Sequence, residues 1–189
     1  MAPESASPTV LLVDDETELL DLYSTWLEGW CTVRTAVNGE TALERADDDV
    51  DVAFLDRQMP GRSGEEVLRE FDRRGYDFRV AMLTAIEPEA DIVDMPFDDY
   101  LVKPVDADDL RAVTDVLLQR ASYEEKSQRL FALASKKAAL EASDSVDHED
   151  SPEYRQLTDR LERLRAEVDE TIGDLIEHDY SVAFAEIEA

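Results

Sequence analysis

The chain has 189 residues, room for one ordinary domain and an appendage. Asp and Glu number 47 against 19 Lys and Arg, a formal charge of −28; residues up to Arg120 hold 11 basic and 29 acidic groups (−18), and those after it 8 and 18 (−10). Neither part offers the basic face that nucleic acid requires, so direct nucleic-acid binding is not expected. No apolar run approaches the ~18 residues that a membrane span needs.

Residues 1–8, rich in Pro and Ser, read as a loose leader without a signal-peptide pattern, which makes a cytoplasmic location the expectation. Residues 9–13 (Thr-Val-Leu-Leu-Val) form a β-rich apolar run that delivers Asp14, Asp15 and Glu16 at its end. Residues 18–26 carry Leu19, Leu22, Tyr23 and Trp26 at helical spacing. A second strand spans residues 31–37, with Cys31, the single cysteine, packed in it; no internal disulfide can form. Asn38-Gly39 turns the chain into a short helix containing Ala42 and Leu43, and Asp47-Asp48-Asp49 reads as solvated loop.

A third strand over residues 50–55 ends at Asp56, after which Pro60, Gly61 and Gly64 punctuate a turn. Residues 64–71 start a helix with Val67 and Leu68 inward. Residues 79–83 form a fourth strand ending at Thr84, and residues 100–102 a short fifth that leads into Lys103-Pro104. Asp106 opens a helix that turns Leu110, Val113 and Leu117 inward. Strands alternating with helices predict a parallel sheet covered on both faces. Right-handed crossovers then bring every strand's carboxyl end to one rim, where Asp14, Asp15, Asp56, Thr84 and Lys103 gather.

Three carboxylates on one rim repel each other unless a hard dication sits among them. Mg²⁺ takes oxygen ligands in octahedral geometry and is commonly shared with phosphate oxygens. Asp15 and Asp56 are candidate direct ligands, Asp14 a water-mediated one, and the Gln58 backbone carbonyl another. With its charge offset, Asp56 can act as a nucleophile toward phosphorus. Lys103 supplies a compact cation for one phosphoryl oxygen; the Thr84 hydroxyl and the backbone N–H groups after Asp56 can bind the others.

Leu12-Val13-Asp14-Asp15-Glu16, Asp56 with Met59-Pro60 and Gly64, Thr84-Ala85 and Tyr100-Leu101-Val102-Lys103-Pro104 together resemble the motifs of response-regulator receiver domains. The resemblance covers residues 9–120. It implies a flavodoxin-like (βα)5 doubly wound parallel sheet in the order 2-1-3-4-5, a sensor histidine kinase as donor, Mg²⁺ as cofactor, and aspartyl phosphate on Asp56, with no enzymatic activity beyond the chain's own phosphorylation and dephosphorylation. It also implies a cis bond at Lys103-Pro104 and a switch in which Thr84 moves toward the phosphoryl group while Tyr100 swings inward.

The sequence departs from the family in three places. The stretch from Thr84 to Lys103 is short and broken by Pro88 and Pro96, which leaves only a stub of the fourth helix. Arg57 puts a long cation beside the acceptor. Gln58 and Ile86 stand where the family tunes phosphoryl lifetime, and apolar Ile86 offers an attacking water no hydrogen bond, so rapid self-dephosphorylation is not expected.

After Arg120 strand signals stop. Tyr123, Leu130, Leu133 and Leu140 share a helical stripe to about residue 142, and residues 143–152 form an acidic loop. Leu157, Leu161, Leu164, Val168, Thr171 and Leu175 then recur at alternating spacings of four and three, a heptad seam widened by Ile172 and Ile176. Neither stripe can be buried alone, so a helical hairpin or coiled-coil pairing between two chains, giving a homodimer, is required. By their helix-loop-helix layout and acidity, together with the Asp-Met-Pro-Phe-Asp-Asp-Tyr-Leu-Val-Lys-Pro stretch at 94–104, residues 121–189 resemble the HalX domain that follows receivers in halophilic archaea; four Lys among 19 basic residues also suit a salt-loving source. His148 and His178 read as surface residues, and Val182-Ala183-Phe184 as an apolar terminus. The resulting expectation is a phosphorylated switch whose tail meets an unidentified output protein, with regulation of transcription one outlet. A Mg²⁺-dependent aspartyl-phosphate phosphatase and a non-switching coiled-coil scaffold are the alternatives.

Overall fold

The computed structural model describes residues 7–88, 90–142 and 151–185, with the side chains of 91, 174 and 177–185 outside the description. Most of the expected leader (1–6), the acidic loop with His148 (143–150), and the side chains of His178 and Val182-Ala183-Phe184 therefore lie outside the described residues.

The elements run β1 (Thr9–Val13), α1 (Thr17–Leu27), β2 (Thr32–Ala36), α2 (Gly39–Arg45), β3 (Val52–Leu55), α3 (Gly64–Arg74), β4 (Arg79–Thr84), a 3-10 turn (Ala90–Asp94), β5 (Asp99–Val102), α4 (Ala107–Glu141) and α5 (Pro152–Ala185). The five strands form one parallel sheet in the order β2-β1-β3-β4-β5, as the resemblance implies. Successive side chains of a strand point to opposite faces, and the core divides accordingly. Leu11, Val13, Ala53, Leu55 and Met82 pack with Val67, Leu68 and Phe71 of α3, whereas Val10, Leu12, Phe54, Ala81 and Leu83 pack with α1 and the start of α4. β3 is buried along its whole length because both faces are covered. Each such Val, Leu or Phe contributes about 1.5–3 kcal/mol relative to exposure.

Local signals set the helix starts. Asn38 Oδ1 accepts from the Thr41 N–H at 2.8 Å, and Ser63 and Glu66 form a capping box at α3. Gly75 ends α3 at φ +73°, a conformation open to glycine.

Several local expectations change. The inward face of α1 is Leu20, Tyr23 and Leu27, and Leu22 is 43 % exposed. The buried stripe is thus out of phase with the Leu19/Leu22 pair, although Leu19 and Trp26 still lie against the core. Cys31 precedes β2 rather than sitting in it, half-buried, with its thiol donating to the Leu27 carbonyl as α1 ends. Val37 lies past β2 and is exposed. Between Pro88 and Pro96 the described residues form only the 3-10 turn. The two helical stretches read on either side of Arg120 are one 35-residue helix, because no Gly or Pro occurs between 107 and 141.

The chain divides into compact units Met1–Leu118 and Gln119–Ala189, a boundary that falls inside α4. In the second unit α4 and α5 pair as an antiparallel hairpin. Lys126 Nζ donates to Thr171 Oγ1 at 3.1 Å, and at the other end the Tyr154 hydroxyl donates to Glu141 Oε1 at 2.6 Å. Leu133, Val168 and Thr171 are buried in the seam, while Leu140 and Ile176 stay exposed. Of the two ways to cover the stripes, the chain uses its own second helix. No helix among the described residues is long and apolar enough to cross a membrane.

Candidate functional site

The parallel register builds the site. Val13 lies beside Leu55, so the next residues, Asp14 and Asp56, emerge side by side; Thr84 lies beside Val102, so Lys103 leaves the sheet next to them. The backbone continues the ladder one step further, with Asp14 N–H donating to Ala36 O, Asp56 N–H to Val13 O and Lys103 N–H to Thr84 O. The Lys103-Pro104 bond is cis.

Lys103 Nζ donates to Asp14 Oδ2 at 2.6 Å and to Asp56 Oδ2 at 2.9 Å. Burial alone would pull the ammonium's pKa down; the hydrogen bonds and charges of Asp14 and Asp56 outweigh it, and the net shift is upward. Asp14 Oδ1 accepts from the Glu16 N–H at 2.9 Å and Asp56 Oδ1 from the Gln58 N–H at 3.1 Å. Asp14 and Asp56 are buried and Asp15 is exposed, yet carboxylate oxygens of all three lie within 4.8 Å of one another. An all-oxygen cluster with an exposed member fits a hard dication such as Mg²⁺, which keeps part of its water. The Gln58 backbone thus enters the site, its N–H on the acceptor carboxylate.

Thr84, 1 % exposed, accepts the Ile86 N–H at 3.4 Å through Oγ1. Tyr100 is half-buried against Phe97 and the α3-side core, and its hydroxyl donates to the Ile86 carbonyl at 2.8 Å. The Tyr100 ring thus rests against the core, with its hydroxyl on the segment that follows Thr84.

Three roles escape sequence reasoning. Gly64 reads there as a turn residue and a member of the motif, with no sign of what its missing Cβ makes room for. A Cβ at Gly64 would fall 2.1 Å from the Asp56 carbonyl oxygen, and its N–H donates to the Arg57 carbonyl at 3.0 Å. Glu65 holds the Arg57 guanidinium at 2.8 Å (Nε) and 2.7 Å (Nη2), beside an open depression of about 680 Å³ lined by Gln58, Met59, Pro60, Ser63 and Ile86. Tyr23 is 3 % exposed, and burial raises its hydroxyl pKa; Lys103 opposes the shift, and Asp14, Asp56 and Glu16 add to it. Helical periodicity marks Tyr23 as inward, but it carries no sign that the ring lies within electrostatic reach of the acid cluster.

Comparison with known proteins agrees with this geometry. Residues 10–115 match the response regulator receiver domain family and residues 119–184 the HalX domain family. A Haloferax volcanii protein named "Putative transcriptional regulator" is 46 % identical over 164 residues, which cover 86 % of this chain and 28 % of that protein. The Escherichia coli transcriptional regulatory protein CpxR is 38 % identical over 124 residues, covering 63 % of this chain and 53 % of CpxR. The chain thus spans about a quarter of the first relative and half of the second. Among solved structures, a CheY-like receiver domain from Methanospirillum hungatei superposes with TM-score 0.59 at 25 % identity, covering 64 % of this chain and 99 % of that one. Thermotoga maritima TrrA, solved in complex with Mg²⁺ and BeF, superposes with TM-score 0.51 at 32 % identity, covering 59 % and 99 %.

Proposed function

Because the chain belongs to the response-regulator receiver family and carries a HalX domain behind the receiver, we propose that it is the phosphoacceptor of a two-component pathway, charged on Asp56 by a sensor histidine kinase. The observation that carries the reading is Lys103 bridging Asp14 and Asp56 inside a cluster of three carboxylates. An Asp56 oxygen attacks phosphorus; the bond from phosphorus to the donor breaks, and its electron pair leaves with the donor. Phosphoryl transfer asks for positioning and charge stabilisation rather than covalent chemistry from the protein. Lys103 neutralises one equatorial oxygen, and the Thr84 hydroxyl leaves the Ile86 N–H to bind a second. Asp14, Asp15, Asp56 and the Gln58 carbonyl would hold Mg²⁺, which when bound offsets the charge of acceptor and phosphoryl oxygens; the complex named for TrrA supports this role. Ile86 lines the depression beside Arg57 and presents an attacking water with an apolar side chain, consistent with slow hydrolysis.

The output passes through the helices to a protein partner, and the relatives named as transcriptional regulators favour transcription as its target. A homodimer through α4 and α5 would use their outer faces, since the seam between them is closed within one chain.

Incubating the full chain at high salt with acetyl phosphate and Mg²⁺ tests the reading. The expected result is one acid-stable, base-labile phosphoryl group per chain, absent in Asp56→Asn. Catalytic release of phosphate from many monoesters would point instead to a phosphatase, and no incorporation at all to a scaffold.

A further inference from the structure

In a chain with 47 acidic residues, four cations converge on one flank of the α4–α5 hairpin. Arg129 and Lys136 of α4 face Arg160 and Arg163 of α5 across a groove of about 620 Å³ whose floor includes Leu133 and Leu164. All four cations are exposed, whereas Leu133 is buried and Leu164 half-buried. Arg129 pairs with Glu125, and Arg163 Nε donates to the Asp159 carbonyl. Lys136 and Arg160 form no ion pair among the described residues. With carboxylates outnumbering Lys and Arg 47 to 19 over the chain, a groove lined by four cations and one carboxylate reverses that balance locally.

We propose that this groove docks an acidic amphipathic helix of a partner protein. Two paired helices leave an open flank between them, and a third helix is the element whose width and apolar stripe fill it. Apolar residues of the incoming helix rest on Leu133 and Leu164, and its Glu or Asp side chains reach the four rim cations. Glu167 also lines the groove and sets the register by repelling a carboxylate at its end. Nucleic acid fits less well: the floor is apolar, Glu125 and Glu167 sit at the cations, and the remaining surface repels phosphate. Within one chain α4 and α5 already engage each other at Leu133, Val168 and Thr171 and do not supply the occupant, and a second copy of the chain is separated from a partner by the solution mass below. The proposal does not depend on phosphorylation of Asp56.

The test is fluorescence anisotropy of the unphosphorylated full chain with a labelled 18-residue peptide carrying Leu at positions i, i+3, i+4 and i+7 and Glu elsewhere. The expected result is saturable binding that weakens at least ten-fold in K136E/R160E and when the peptide's Glu are replaced by Gln. Both substituted residues are exposed, and unchanged far-UV circular dichroism checks that the hairpin remains. A peptide with Lys in place of Glu should then bind K136E/R160E better than the wild-type chain, a rescue that a misfolded variant could not show. Equal peptide binding by wild type and variant overturns the proposal. So does a solution mass that falls from dimer to monomer in the variant, or a labelled DNA duplex that competes fully with the peptide.

Discussion

Thr84 and Tyr100 hold opposite ends of one residue: the Ile86 N–H donates to Thr84 Oγ1 at 3.4 Å, and the Ile86 carbonyl accepts the Tyr100 hydroxyl at 2.8 Å. Under the proposed phosphorylation of Asp56, a Thr84 hydroxyl drawn to a phosphoryl oxygen would release that N–H and free the segment that Tyr100 holds.

The shared Ile86 gives a measurable coupling. Tyr100→Phe removes a half-buried hydrogen bond and should cost about 1 kcal/mol in urea unfolding. Thr84→Val should cost a similar amount. The double variant should fall short of the sum by at least about 0.5 kcal/mol, because both bonds end on Ile86. Strict additivity would show that Ile86 transmits nothing.

Lys103→Met leaves Asp14 and Asp56 facing each other without their cation. Removing one partner of a largely buried ion pair is destabilising, here by about 2 kcal/mol since the lysine keeps some solvent access. Millimolar Mg²⁺ should recover much of that loss, because a ligand that binds only the folded state stabilises it. Thermal midpoints of wild type and variant, with and without Mg²⁺, measure both effects. A variant that Mg²⁺ does not stabilise would remove the carboxylate cluster from the list of dication sites.

The glycines divide sharply. Gly64→Ala would drive a methyl group into the Asp56 carbonyl, 2.1 Å away, and should cost at least about 3 kcal/mol while slowing phosphoryl uptake. Gly173, on α5 with nothing within 4 Å of an added Cβ, should do the opposite. Gly173→Ala should stabilise the chain by about 0.5–1 kcal/mol through helix propensity. Denaturation midpoints distinguish the two, and equal effects at both positions would contradict the packing described.

Acid affects one surface cluster in a defined window. Hydrogen bonds from Arg73 and Arg74 hold the Glu70 carboxyl at about 2, against an ordinary 4.5. A depressed folded-state pKa means that Glu70 contributes stability above pH 4.5 and loses it as pH falls from 4.5 through 2. The stability difference between wild type and Glu70→Gln should therefore be flat above about pH 5 and close in that window. An NMR titration midpoint near 4.5 for Glu70 would show that the arginine contacts do not persist in solution.

Much of the site was legible because its residues follow strand ends, and a parallel sheet sends every such end to one rim. Asp14, Asp56, Thr84 and Lys103 could be named from apolar runs and the polar residue after each. Helix phase was less legible: Leu22 and Leu20 are equally apolar, and only the packing of α1 on the sheet decided that Leu20 goes in. The 35-residue α4 was likewise hidden by a change in which face is apolar, since the same continuous helix serves two compact units.

The sequence by itself determined the order of strands and helices, the acidic rim and the two stripes of the tail, because these depend on local periodicity and on what stands next along the chain. Tertiary structure alone decided that Lys103 reaches both Asp14 and Asp56, that Gly64 must lack a Cβ, that Ile86 joins Thr84 to Tyr100, and that four cations share one groove. Those are relations between residues distant in sequence, and they exist only once the parallel register and the hairpin pairing have brought the backbones to a definite separation.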